Sequence, residues 1–449
     1  MKLSIKENSV NYVCTVVEIT EKALYPIEGA DKIQRVVIQG NDVVCSKEVK
    51  VGDKMLYFTS GTRLNEDYCK FNNLLDKSEL NNDPTIRGFI SYKQFRVKAI
   101  KLRGIISNGM LMPLSSLSIW LNPQERYGAL KVGDEFTDIE VDGTNYSVCE
   151  KYFVPVRNSN PGGKAPKKSV KISRLVEDQF YLHNDTENLR KNIHKLHPGD
   201  IIGIHYKKHG SSAVYGNVLV KKNLKWYEKL LRYIGVNIED TEYDIVYSSR
   251  KVVKNGYFNP NSGEGFYGED IWGIVAKEIG HLIPKNFTIY GEILGYTPSG
   301  SPIQGAYDYG CKEGEHKFYV YKISVVNPDG QVIYLTDKQI EEFCEKRGLL
   351  YKDTFIYYGK AINYFSNPIT HAGSVKLWRE DFIKHLEYIH NEKDCYMCTN
   401  KVPEEGIILR IENMYEYEAY KLKSKRFILG ESEAQEKGET NLEDNQDDN

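Results

Sequence analysis

The stretch Arg157-Asn-Ser-Asn-Pro-Gly-Gly-Lys-Ala-Pro-Lys-Lys-Ser169 carries no apolar periodicity and is rich in Pro, Gly, Ser and Lys. A segment of that composition has no face to bury and behaves as a linker. It therefore predicts that the 449 residues fold as two bodies, each within the usual size of a domain. The boundaries that follow are a first domain at 1–155, a linker at 156–170, and a second domain at 171–430. Residues 431–449 make a tail with eight acids and one lysine, which is expected to be disordered.

With 41% hydrophobic and 27% charged residues, both domains can build cores. No apolar run approaches a membrane span and the amino terminus lacks a signal-peptide core, so a soluble, cytoplasmic protein without a membrane partner is expected. The net charge of −2 comes largely from the tail. The rest of the chain is only mildly basic, so any phosphate-binding surface must be local.

The first domain reads as short strands between turns. Tyr12 to Val17, Arg35 to Ile38, Asp42 to Cys45 and Lys54 to Phe58 are rich in β-branched and aromatic residues, with Gly40-Asn41 and Gly52-Asp53 between them. Phe95 to Arg103 alternates and is basic on one face, and polar Asn65 to Ser91 has the character of a loop insertion. A small OB-like β-barrel fits this pattern. Beyond the linker, helical patterns near Asp185–Ile193, Lys225–Ile234, Lys338–Arg347 and Lys376–Ile389 mix with strands that lack βαβ alternation. The expected class is α+β, built on antiparallel sheets with flanking helices.

Within that second domain, Lys207-Lys208-His209-Gly210-Ser211-Ser212 joins two strand-like runs, Ile201–Tyr206 and Ala213–Val220. Such a turn can hold an amine while hydroxyls and backbone N–H groups face a phosphate. A nucleophilic lysine must shed a proton that it ordinarily keeps up to a pKa of about 10.4, which neighbouring cations would assist. Taken alone, the hexapeptide is equally a decorated hairpin. Downstream come Ser248-Ser249-Arg250-Lys251, Tyr290-Gly291-Glu292, Phe318-Tyr319-Val320-Tyr321-Lys322-Ile323, Glu405-Gly406-Ile407-Ile408-Leu409-Arg410 and Lys421-Leu422-Lys423.

In this order the motifs resemble those of the covalent nucleotidyltransferases, and most closely the ATP-dependent RNA ligases of the Deinococcus type, which carry an amino-terminal OB module. Gln179-Phe180-Tyr181-Leu182-His183 and the stretches Phe95 to Pro113 and Lys421 to Glu433 add to the likeness, which spans nearly the whole chain. The resemblance implies that Lys207 attacks the α-phosphate of ATP to give a lysyl-AMP, with Gly210 in the same turn. It implies that Arg250 contacts phosphates, that Glu292 and Glu405 bind Mg²⁺ or Mn²⁺ (Glu292 or else the ribose), and that Phe318 stacks on adenine. Lys421 and Lys423 would bind the reacting phosphates, and Gln179 and Phe180 would belong to the nucleotide pocket. Lys208 falls at a variable position and is expected to be solvated. His209 stands where many relatives have Asp.

The implied activity is the joining of a 3′-hydroxyl RNA end to a 5′-phosphate end, at nicks in duplex nucleic acid, by a monomer. The alternatives are a DNA ligase or capping enzyme, whose OB module normally follows the transferase core, and a silent nucleic-acid-binding protein. Cys395-Tyr396-Met397-Cys398 has the spacing of half a zinc site, but no second such pair exists. Reduced core thiols are the better expectation.

Overall fold

The computed structural model describes residues 1–154, 174–183, 185–254, 267–351, 356–365, 374–390 and 392–437. The linker at 156–170 lies outside the described residues, as does most of the acidic tail. The described chain forms two compact units, one of Met1–Val154 with Lys423–Glu439 and one beginning at Pro155 and running to Leu422.

In the first unit, the strands Met110–Pro113, Lys54–Phe58, Cys14–Glu18 and Glu135–Phe136 form one sheet in that order. Val16, Leu56, Phe58 and Phe136 point from it into the main core. Leu24–Pro26, Ile33–Ile38 and Asn41–Ser46 make a meander, and Ala99–Leu102 pairs with Ile105–Asn108 as a hairpin. The expected strands are present, but their hydrogen-bond ladder is divided among separate short sheets and does not close into one barrel. Asn65–Ser91 is not a loose insertion. Asn65 caps the helix Glu66–Phe71, and Tyr68, Cys69, Leu74, Leu75 and Ile90 are buried in the core. The Asn81 side chain takes over the backbone bonding that a strand would supply, meeting Leu75 N at 3.0 Å, Leu75 O at 3.0 Å and Ile86 O at 2.8 Å.

The beginning of the supposed tail belongs to this unit. Lys425–Glu436 is a helix, capped by Ser424. Arg96, wholly buried, donates to Ser432 Oγ at 3.1 Å, Gln435 Oε1 at 2.7 Å and the Ser432 carbonyl at 3.0 Å. Its guanidinium also lies 5.2 Å from the centre of the Tyr152 ring. Charge counting places the part from Glu431 onward in the tail, but Ser432 and Gln435 are buried as Phe427 is, and Lys98 pairs with Glu436.

The second unit contains two sheets. One runs Glu187–Asn188, Glu418–Lys423, Gly406–Ile411, Ile201–Tyr206, Tyr357–Lys360. The other runs Thr241–Ser248, Ser211–Lys221, Phe287–Gly295, His316–Val326, Val332–Tyr334, with Leu350–Tyr351 pairing parallel to His316–Val326. Most ladders are antiparallel, as an α+β domain requires. The helices Ile271–Ile279 and Asp337–Arg347 cover the core face of the second sheet, and Val375–His390 covers the first. Asp337–Arg347 starts in a Thr336/Gln339 capping box and stops at Gly348, whose φ of 67° suits glycine. Ile271–Ile279 escaped the periodicity reading because it is apolar nearly all round, with six of its nine residues buried. Among the described residues no helix is long and apolar enough to cross a membrane.

Candidate active site

Lys207 directly follows the strand Ile201–Tyr206, and its backbone N–H donates to the Gly406 carbonyl at 2.8 Å. That bond sets it beside Glu405, the residue just before the neighbouring strand. The Lys207 ammonium lies 2.9 and 3.0 Å from the two oxygens of the Glu405 carboxylate, which is 3% exposed. His209 Nδ1 is 3.7 Å from the same carboxylate, while its ring meets Tyr307 edge-on at 4.9 Å. Its backbone N–H donates to the Tyr309 hydroxyl at 2.5 Å.

Gly210 closes the turn because nothing larger fits. A Cβ there would stand 2.5 Å from the Ile293 carbonyl oxygen and 3.3 Å from Glu292 Oε2, which also puts the Glu292 carboxylate against the turn. The Gly210 carbonyl accepts from Gln304 Nε2 at 2.8 Å. Glu292 faces Ser212 on one neighbouring strand and Tyr319 on the other, so these three side chains share a sheet face.

Lys208 is not solvated as expected. It is buried, its ammonium 2.9 Å from Met397 Sδ and over the rings of Tyr319 and Tyr396 at 5.1 and 5.9 Å. The adjacent Glu404 is buried as well, and its carboxyl is pushed up to about 8 by burial, with the charges of Cys395 and Glu405 adding to the effect and Lys208 opposing it. Aromatic faces and that carboxyl provide for a cation that composition alone assigned to water.

Phe318 departs from its expected role. It stands on the opposite face from Glu292, edge-on to Tyr215 at 5.1 Å and against Gly291, inside the core. Strand alternation explains this, since Tyr319, not Phe318, pairs with Glu292. Gln179 is also committed elsewhere, donating from Nε2 to the carbonyls of Asn327 and Pro328 at 3.1 and 3.2 Å. Phe180 packs over Gly216, where a Cβ would stand 3.0 Å from its ring.

Arg250 is buried and pairs with Asp185. The charges of Arg250, Asp185 and Lys207 all act on His183, a residue to which the sequence assigns no role. His183 Nδ1 is 3.1 Å from the Tyr321 hydroxyl, which in turn is 3.4 Å from Ser212 Oγ. Burial, then the charges of Lys322, Arg250 and Lys207, hold the His183 imidazole well below its usual pKa against the pull of Asp185. It is a neutral ring in a cationic cluster. Asp185, Tyr319, Tyr321 and Lys322 were likewise missed, although three of them lie inside the motif around Phe318.

Lys421 sits on Glu418–Lys423, opposite Asn188 of a parallel partner. Lys423 ends that strand and falls in the first compact unit. There it holds both oxygens of Glu431 at 3.0 and 3.1 Å and lies 5.1 Å from the Phe427 ring. The buried Leu422 between them leaves the two lysines on one face, as alternation demands.

Lys322 offers a measurable consequence. It is buried over the rings of Tyr290, Tyr417 and Tyr334 at 4.1, 4.6 and 5.0 Å. Burial, helped by the Arg410 charge, lowers its pKa to about 7. Between that value and the ordinary lysine range the unfolded chain binds the extra proton, so this group makes stability rise with pH from about 7 upward. Lys322→Met should flatten that rise. Denaturant midpoints measured from pH 6 to pH 10 in both proteins check it, and parallel curves would refute the assignment.

The described residues hold no cluster of three or more His, Cys, Asp or Glu side chains able to bind a metal. The eight cysteines are free thiols. Cys395 and Cys398 hydrogen-bond to each other; that bond and burial both raise the Cys395 thiol, while the same bond lowers Cys398 against the opposing effect of burial.

Against known proteins, residues 13–114 match an OB-fold domain model and residues 207–427 match the RNA ligase family model. No curated protein matches. Among solved structures, Naegleria gruberi RNA ligase with PPi is 16% identical at a TM-score of 0.55, covering 96% of this chain and 100% of that one. A point mutant of that ligase with AMP and Mn is 17% identical at a TM-score of 0.52, covering 94% and 98%. These likenesses show a shared fold. With its motif-bearing region matched from Lys207 onward, residues 207–427 belong to the RNA ligase family, and an OB-fold domain lies ahead of them in the chain.

Proposed function

We propose that the protein is an ATP-dependent ligase that joins a 3′-hydroxyl RNA end to a 5′-phosphate end, at nicks in a duplex, through a lysyl-AMP on Lys207. The observation that carries this reading is the Lys207–Glu405 pair at 2.9 Å in a turn that Glu292 borders from the other side.

In the first step, Nζ of Lys207 forms a bond to the α-phosphorus, the bond to the bridging oxygen breaks, and pyrophosphate leaves. Nζ must first give up a proton, and the Glu405 carboxylate is in hydrogen-bond reach to take it. In the second step an oxygen of the RNA 5′-phosphate attacks the AMP phosphorus and releases Lys207. In the third the 3′-hydroxyl attacks the activated 5′-phosphate and AMP leaves. Phosphoryl transfer asks mainly for positioning and charge neutralisation. Arg250 and the lysines of 421–423 are the cations offered for the phosphate oxygens.

Glu292 and Glu405 supply the oxygen donors that Mg²⁺ or Mn²⁺ prefers, and two carboxylates suffice for an ion that keeps several waters. When bound, the ion would neutralise charge on the phosphate oxygens. Solved relatives from Naegleria gruberi carry Mn with AMP or ATP, in keeping with this assignment. His209 stands close enough to Glu405 to orient it. On the Glu292 face, Tyr319 and Phe180 are aromatics available to a base, where Phe318 is turned into the core.

The substrate part is tested with nicked duplexes whose 3′-hydroxyl end is ribose or deoxyribose. Sealing is expected to favour the ribose end by about tenfold or more, the size of one well-made 2′-hydroxyl contact. Equal rates would move the reading to a DNA ligase.

A further inference from the structure

The OB-fold unit has an open cleft of about 620 Å³, lined by Tyr25, Glu28, Arg35 and Arg103 among others. Tyr25 and Arg35 are directly opposed across two strands, with the guanidinium 4.4 Å from the ring centre. The Tyr25 ring is 40% exposed, so one face of it remains for another flat group. The charge on Arg35 is only partly offset. Its neighbour Asp42, 3.7 Å away, is also bound by Lys425 at 2.7 Å. Glu28 is the acid of the lining, set against two guanidiniums.

Arg103 is the more telling residue. It is exposed at the tip of the hairpin between Ala99–Leu102 and Ile105–Asn108, and has no ion pair among the described residues. Its φ is 49°, followed by 82° at Gly104. That is a turn in which Asn or Gly is preferred and a long side chain is costly. A disfavoured residue at an exposed tip contributes nothing to packing, so its side chain is the reason to keep it. The hairpin is held on both strands, Ser107 Oγ accepting from Val44 N at 2.9 Å and Ala99 N donating to Ser432 Oγ at 2.9 Å. The Arg103 guanidinium lies beside Gly29, where a Cβ would meet it at an ordinary contact distance of 3.7 Å.

We infer that this cleft binds a strand of the RNA substrate, with Arg103 and Arg35 on its phosphates and a base stacked on Tyr25. An exposed aromatic beside two unsaturated guanidiniums is the chemistry of single-strand recognition. The identity of the strand as RNA rests on the ligase reading; the existence of the cleft does not.

The test measures affinity of the full chain for a fluorescent nicked RNA duplex that carries a single-stranded extension, over a range of salt, with thermal unfolding alongside. Arg103→Asn should hold or raise the melting temperature, because Asn suits the turn, while RNA affinity falls. The slope of log affinity against log salt should drop by about one, the share of one phosphate contact. Tyr25→Ala should weaken binding by about tenfold, as loss of one stacked base does. Affinity and salt slope unchanged in both variants would overturn the inference, whatever the enzyme's activity. A wild-type chain that takes no label from ATP would instead overturn the ligase reading and leave these affinities readable.

Discussion

Lys207→Ala should take no covalent label from α-labelled ATP and a divalent ion, where the wild type is labelled with release of pyrophosphate. Removing the nucleophile of a covalent mechanism costs on the order of 10⁴-fold or more, so the label should fall below detection. Alanine also strips a cation from the buried Glu405, and a misfolded variant would be silent too. Lys207→Arg separates the two causes. It keeps a cation for Glu405, yet a guanidinium does not give up its proton in proteins. It should fold with near wild-type stability and remain unlabelled. Label retained by either variant would remove Lys207 from the mechanism, and label from GTP in preference to ATP would favour a capping enzyme.

The largest loss of stability is expected from Asp337→Ala. Asp337 is wholly buried and accepts from Arg410 Nη1 at 2.9 Å and faces His205 Nε2 at 2.9 Å. Its backbone N–H donates to Glu412 Oε1 at 2.9 Å. His205 and Arg410 lie on paired strands of one sheet, while Asp337 opens the helix that covers the other. The carboxylate therefore ties together the two layers of the second unit, two residues before Lys207. Breaking one partner of a buried ion pair costs about 3–5 kcal/mol because the other charge is left in place. Glu412, 3.6 Å from Arg410, should hold the loss within that range. Urea unfolding reads it, and a loss below about 1 kcal/mol would show the network to be dispensable. Asp337→Asn should lose less, since an amide oxygen still accepts from Arg410.

Gly203 shows how far such a network lies from what a sequence reveals. In the chain it is one glycine in an apolar strand. In the fold its missing side chain is the space for Asp337, whose Oδ2 would stand 2.2 Å from a Cβ there. Lys208 and Phe318 teach the same lesson. A lysine beside a lysine reads as solvated, and a motif aromatic reads as a ligand platform. Two rings and a carboxyl decided the first, and strand alternation set against Glu292 decided the second. The helix Lys425–Glu436 was hidden by its charge, although Arg96 was in view as one basic residue on an alternating strand.

Local order in the chain determined the α+β class, the OB-fold domain, four of the eight described α-helices and the ordered motif series with Lys207 at its head. Those are properties of spacing and residue type, which act over a few residues. Which side chains meet was decided only by the fold. Glu405 reaches Lys207 across 198 residues, and His183 and Tyr321 meet across 138. Strand register and burial set those encounters, and both depend on how distant segments pack, which no local pattern encodes.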